Sequence, residues 1–155
     1  MQIEQDSAQV RIPPPLILLS CVLLGAWLHW IYPVHLAAAP LRWIIAGLLV
    51  FTGIAVILYC AWIFRKRNIN IEPWKKTSHL ITSGIYRFSR NPIYLSFVIV
   101  GLGAAFAANS IWIALLMVPL VLIINRIVIA KEELYLEEKF GDEYRSYKKQ
   151  VRRWI

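Results

Sequence analysis

Residues 41–64 read LRWIIAGLLVFTGIAVILYCAWIF, and the next three, 65–67, read RKR. A helix needs about 20 apolar residues to cross roughly 30 Å of hydrocarbon, and this run of 24 is interrupted by Arg42 alone. It therefore predicts a membrane span whose far end is held at the polar surface by a basic cluster. Working outward, Pro15–Ile31 precedes it and Ile93–Ala108 and Ile111–Ala130 follow it as further apolar stretches, the third span being short at 16 residues. A chain that is 59% hydrophobic and 17% charged is too apolar for an ordinary soluble domain. The fold class expected is all-α: an integral membrane bundle of about four helices in one membrane domain over residues 1–155.

Charge placement orients the bundle. The connection over residues 65–92 carries Arg65, Lys66, Arg67, Lys75, Lys76, Arg87 and Arg90 against the single acid Glu72, and the tail adds Lys131, Lys139, Arg145, Lys148, Lys149, Arg152 and Arg153. Tyr32–Pro40 and the Asn109-Ser110 turn have no Lys or Arg. The positive-inside rule then puts loop 65–92 and both termini in the cytoplasm. A net charge of +8 distributed in this way follows topology, and no nucleic-acid partner is expected. The first stretch lacks a strongly basic start and a small-x-small cleavage site, so it reads as a retained helix. Cys21 and Cys60 lie inside spans and read as small apolar packing residues, with no metal site.

Residues 1–64 read as two scaffold helices, with Trp27, His29, Trp30, Tyr32 and Trp43 as an aromatic belt. Residues 93–130 read as a tight hairpin, because only Asn109-Ser110 separates its helices and Gly101, Ala105 and Asn109 recur every fourth residue. Pro119 predicts a kink in span four. Beyond it, residues 131–155 form a cytoplasmic helical segment with a stripe of Leu136, Phe140, Tyr144, Tyr147, Val151 and Trp154, divided at Gly141. That stripe suits the surface of an anionic membrane.

Two places exceed what scaffolding needs. Glu132 and Glu133 stand where span four leaves the membrane, and carboxylates beside hydrocarbon are costly unless a donor or cation meets them. Ideal helical geometry puts Glu133 on one face with Arg126 and Glu137, and Glu132 about 100° away. The segment Gly84–Tyr94 is the other place. Pro92 suits a first helical turn and Asn91 the cap before it, which leaves Tyr86, Arg87, Arg90 and Tyr94 without a structural task.

Taken together, His79-Leu80-Ile81-Thr82-Ser83-Gly84-Ile85-Tyr86, Arg90-Asn91-Pro92-Ile93-Tyr94, Glu132-Glu133 and Phe140-Gly141-Asp142-Glu143-Tyr144, with Tyr147 and Val151, resemble the isoprenylcysteine carboxyl methyltransferase and phospholipid methyltransferase families of integral membrane enzymes. The resemblance covers roughly residues 70–155, and the order and spacing of the blocks carry it. It implies an S-adenosylmethionine-dependent methyltransferase acting on a lipid or lipidated membrane-resident substrate, with phospholipid headgroup N-methylation as the alternative. Carried over by position, the cofactor residues would be His79, Leu80, Ile81, Tyr86, Asn91, Pro92, Tyr94 and Glu132, so that loop 65–92 becomes a cofactor-binding loop. Arg90, Arg126 and Glu133 are the candidates for the substrate, and no catalytic residue is assigned.

Two departures bear on the substrate. Isoprenylcysteine enzymes have His between the Arg and Pro of the Arg-x-Pro motif, where this chain has Asn91, which does not titrate. They also have an Arg four residues before the first Glu, where this chain has Val128. A nicotinamide-dependent membrane reductase and a non-catalytic lipid-binding protein are readings of other classes, although no glycine-rich dinucleotide fingerprint is present. The inner membrane of a prokaryote is the expected location, with the site facing the cytoplasm.

Overall fold

The computed structural model describes residues 12–67 and 79–155. The loop residues Glu72, Trp74, Lys75 and Lys76 lie outside the described residues. The described chain is helical throughout its ordered elements: α1 (Pro14–Ile31), α2 (Leu41–Lys66), a 3-10 turn (Gly84–Arg87), α3 (Pro92–Ala107), α4 (Ile111–Ile123), a π-helical turn (Ile124–Ile129) and α5 (Ala130–Gln150). Helices α1, α2 and the continuous run Ile111–Gln150 are long and apolar enough to cross a membrane, and Pro92–Ala107 is a shorter apolar helix. The chain is an all-α membrane bundle.

Large apolar side chains such as Leu23, Leu48, Phe51 and Leu58 project outward and exposed, the reverse of a soluble protein and the arrangement that a hydrocarbon solvent permits. With lipid outside, apolar burial gives the helices little reason to associate, so they are held by close backbone contact instead. A Cβ at Gly53 would come within 2.5 Å of Val100 Cγ2, and one at Gly103 within 2.7 Å of Val50 Cγ2. These glycines are what lets α2 and α3 lie together along their length. Similarly, α1 packs on α4, and α3 and α4 form the expected hairpin, with Ala105 fully buried in it.

Asn109 makes the hairpin turn at φ 52°, a backbone region that Asn tolerates better than most residues. Its side-chain oxygen accepts hydrogen bonds from the backbone N–H of Leu36 and Ala37 at 2.9 and 3.0 Å, and the Trp112 indole donates to the Tyr32 carbonyl at 2.6 Å. This end of the bundle is thus sewn shut by side chains satisfying loop backbone.

Span four departs from regular geometry later than Pro119 predicts. Pro119 sits inside α4, and the helix widens only over Ile124–Ile129. Hydrogen bonding from i to i+5 admits an extra residue per turn and rotates everything downstream. The shared face expected for Arg126 and Glu133 is lost as a result: Arg126 is exposed and Glu133 buried.

Unequal helix lengths shape the opposite end. α2 has 26 residues and α3 16, roughly 39 and 24 Å. The pairing of Gly53 with Ser96 and Val100, and of Gly103 with Val50, sets Tyr94 level with about Ile57, some way short of the end of α2 at Lys66. The segment from Ile81 to Asn91 fills the recess, packing Ile81 and Tyr86 against Cys60 and Ile63 of α2.

Candidate functional site

At this recessed end the entrance of α3 meets the first turn of α5. Pro92 is buried in the first turn of α3, where its missing N–H removes no helical bond. Tyr94 follows it, buried, its ring edge-on to Phe97 at 6.0 Å. Its hydroxyl donates to Glu132 Oε1 at 2.6 Å, a bond between residues 38 apart in sequence. The distance is typical of a hydroxyl donating to a carboxylate. Among the described residues, no hydrogen bond engages the second oxygen of Glu132, Oε2.

The apolar run of span four ends at Ala130, so Glu132 lies just beyond it. Desolvation pushes its carboxyl up to about 7, against the Tyr94 hydrogen bond that lowers it; the neighbouring Glu133 carboxylate raises it further. Burial is also the main reason that the Tyr86 phenol is raised, with the Glu132 charge adding to it. Tyr86 and Tyr94, from one segment, and Glu132, from a distant one, therefore share one electrostatic environment.

Glu133 faces elsewhere. Arg90 Nη1 lies 2.8 Å from its Oε1, while Arg153 donates from Nε to Oε1 at 3.0 Å and from Nη2 to Oε2 at 2.5 Å. Arg90 also donates to the Tyr144 hydroxyl at 3.3 Å. Burial and the Glu133 charge push the Tyr144 phenol up to about 12, partly offset by Arg90. Arg90 Nε is buried without a hydrogen-bond partner among the described residues.

The C-terminal segment reaches this network because α5 bends. Gly141 has φ 51° and ψ −121°, a left-handed conformation that suits glycine, and it divides α5 as the sequence predicts. After it, the Tyr147 hydroxyl donates to the Tyr86 carbonyl at 2.7 Å, and the N–H of Arg90 donates to the Arg152 carbonyl at 3.1 Å. Asn91 stands at the helix cap position of α3 but does not cap with its side chain. Instead its amide donates to the Arg153 carbonyl at 2.9 Å, and Ser89 Oγ accepts from the Asn91 N–H at 3.1 Å. Trp154 donates its indole N–H to Asn125 Oδ1 in the π-helical turn at 3.2 Å.

Of the residues singled out from sequence, Ile81, Tyr86, Asn91, Pro92, Tyr94 and Glu132 are gathered at this end, together with Arg90 and Glu133. Leu80 is partly buried beside Ile81, His79 is exposed at the edge of the described residues, and Arg126 is exposed on the π-helical turn. Val128 is fully buried in the core, so it contributes no side chain to the site surface. Arg153 was not singled out. A clue existed, since an acid as buried as Glu133 needs a cation, but choosing among the arginines required knowing where the chain returns after Gly141.

The fold and this pair of carboxylates at one end, Glu133 buried and Glu132 half-buried, define an integral membrane protein with a polar site set into its bundle. Residues 41–143 match the family described as phospholipid methyltransferase. The chain belongs to that family, and it is thereby a membrane methyltransferase of a kind associated with lipid-related substrates. It is also similar to an uncharacterised protein of Haemophilus influenzae, with 46% identity over 65 residues, which make up 41% of this chain and 100% of that protein.

Proposed function

We propose that the protein is an S-adenosylmethionine-dependent methyltransferase whose acceptor is a lipid or lipidated molecule resident in the same membrane. The observation that supports this best is the Tyr94–Glu132 hydrogen bond, which joins two separated motif blocks and, among the described residues, leaves one carboxylate oxygen without a partner. When bound, the cofactor supplies an electrophilic methyl carried on a sulfonium. The residues present fit it: Glu132 Oε2 is positioned to accept from ribose hydroxyls or an amino group, and Tyr86 and Tyr94 offer aromatic faces that attract a cation. Among the described residues, no backbone hydrogen bond is made by Leu80 or Ile81, whose amides are thus suited to an adenine edge, with His79 beside them. Asn91 and Pro92 would set the entrance of α3 on which Tyr94 stands.

Methyl transfer needs alignment and desolvation more than acid–base help. Tyr94 lies short of the end of α2, a position that suits the sideways approach of a membrane-resident acceptor and the exclusion of water. A headgroup amine suits this site better than an isoprenylcysteine carboxylate. Val128, where the carboxylate-binding Arg of those enzymes stands, is sealed in the core, so this position offers a substrate carboxylate no cation. Were the acceptor lipid to carry a phosphate, Arg90, whose Nε has no hydrogen-bond partner among the described residues, would suit it better than the exposed Arg126, whereas Glu133 is committed to Arg90 and Arg153. The cofactor side faces the cytoplasm in this reading, which the placement of Lys and Arg in the sequence favours.

Calorimetric titration of S-adenosylmethionine and S-adenosylhomocysteine into detergent-purified protein tests the proposal, followed by transfer of radiolabelled methyl into a total lipid extract. Micromolar binding and a labelled lipid are expected. Absence of binding to either compound would overturn the cofactor assignment, and selective binding of NADPH instead would redirect it to reductase chemistry.

A further inference from the structure

The match to the phospholipid methyltransferase family ends at residue 143, yet the contacts that organise the site continue to Trp154. The segment Arg152–Trp154 touches every element that sets the Tyr94–Glu132 pair. It accepts from Arg90 and Asn91 at the entrance of α3, grips Glu133 in the first turn of α5, and donates to Asn125 in the π-helical turn before it.

Glu133 is nearly sealed, with 11% of its side chain exposed, and Arg90 at 10% is sealed with it. One arginine would suffice to neutralise one carboxylate. The second, Arg153, adds geometry: its Nε and Nη2 take the two oxygens of Glu133 separately, and such a fork fixes the plane of the carboxylate. Fixing that plane fixes the rotation of the helical turn on which Glu132 is the adjacent residue. This turn follows a π-helical stretch, whose i-to-i+5 bonding breaks the α-helical register that would otherwise set its rotation from α4.

We infer that Arg153 is a positioning residue of the methyl-transfer site, acting through Glu133 to turn Glu132 toward Tyr94. The inference rests on the reading of Glu132 as a cofactor ligand. Without the fork, Glu133 is left to Arg90 alone and the first turn of α5 is free to rotate away from α3.

The test is calorimetric affinity for S-adenosylhomocysteine in the full-length protein. Arg153→Ala should weaken binding about tenfold or more, and Arg153→Lys, which keeps charge but loses the planar fork, should recover only part of the loss. Lys149→Ala removes an equal charge from the exposed last turn of α5, four residues earlier, and should bind within about twofold of wild type. Tyr94→Phe removes the bond that Arg153 is proposed to align, so the loss caused by Arg153→Ala should shrink in that background. Unchanged affinity in Arg153→Ala, or losses that simply multiply in the double variant, would overturn the inference while leaving the cofactor assignment standing. Failure of the wild type to bind would remove both. Should Arg153→Ala fail to yield monodisperse protein, the comparison of Arg153→Lys with Lys149→Ala, alone and with Tyr94→Phe, decides the matter.

Discussion

The two ends of this bundle spend their polar residues differently. At the hairpin end, Asn109 and Trp112 bond to the backbone of the segment 32–37, and Asn109 Nδ2 lies 3.2 Å from His35 Nδ1. These groups are neutral or near the surface, and their partners are mostly peptide units that would otherwise go unsatisfied in a membrane. At the α3–α5 end, polar side chains bond mainly to one another: Tyr94 to Glu132, and Arg90 and Arg153 to Glu133. Burying one carboxylate and half-burying its neighbour is expensive. A loop can be closed without that cost, as the hairpin end shows, so the charged end is where the structure departs from what folding alone requires.

The sharpest way to break this contrast is to cut one residue from each end. Glu132→Ala should weaken S-adenosylhomocysteine binding at least a hundredfold with modest change in resistance to denaturation in mixed micelles. Asn109→Ala should do the opposite. It leaves two backbone N–H groups without their acceptor, a loss of about 1–3 kcal/mol each at most, and should leave affinity within about twofold. Equal effects on binding from the two variants would erase the distinction.

A smaller effect follows from the carboxyl of Glu132. Its value is raised to about 7 by desolvation, so it is ionised above that pH and neutral below. If the ionised form is the one that accepts from the cofactor, binding is full at alkaline pH and falls as pH drops through about 7. Affinity at pH 6 should be about tenfold weaker than at pH 8. Since the Tyr94 hydrogen bond lowers this value, Tyr94→Phe should move the midpoint upward and Glu132→Gln should flatten the profile. At the hairpin end, Asn109→Ala should keep the wild-type profile.

What was legible in the sequence tracks the range of the forces involved. Spans, hairpin and the break at Gly141 are local matters of apolar run length, turn chemistry and φ preference, and all three stand in the structure. The π-helical turn was not legible, because the apolar residues around Asn125 and Arg126 serve i+4 and i+5 bonding equally well, and the face assigned to Glu133 failed with it. Asn91 read as a cap because the preference of Asn for that position is local, whereas its amide is taken by Arg153, 62 residues away. The Arg153–Glu133 pair is likewise a long-range contact between charges, and one sequence does not say which arginine returns to which acid.

The smallest expected effect lies at His35. Two histidines at the hairpin end, with ring centroids 5.5 Å apart, are the feature of that end most easily mistaken for a site. Their surroundings argue otherwise: His35 is exposed, and its ring meets Asn109, which already serves two backbone groups. Among the described residues, no group of three or more His, Cys, Asp or Glu side chains is arranged to hold a metal ion. His35→Ala should therefore cost no more than about 1 kcal/mol of stability, the worth of one exposed hydrogen bond, and should change neither cofactor affinity nor its pH midpoint. A shift in either binding quantity would mean that the two ends of the bundle are coupled through α3, which joins Tyr94 near its first residue to Asn109 just past its last, and the contrast between a sewn end and a working end would have to be redrawn as one continuous site.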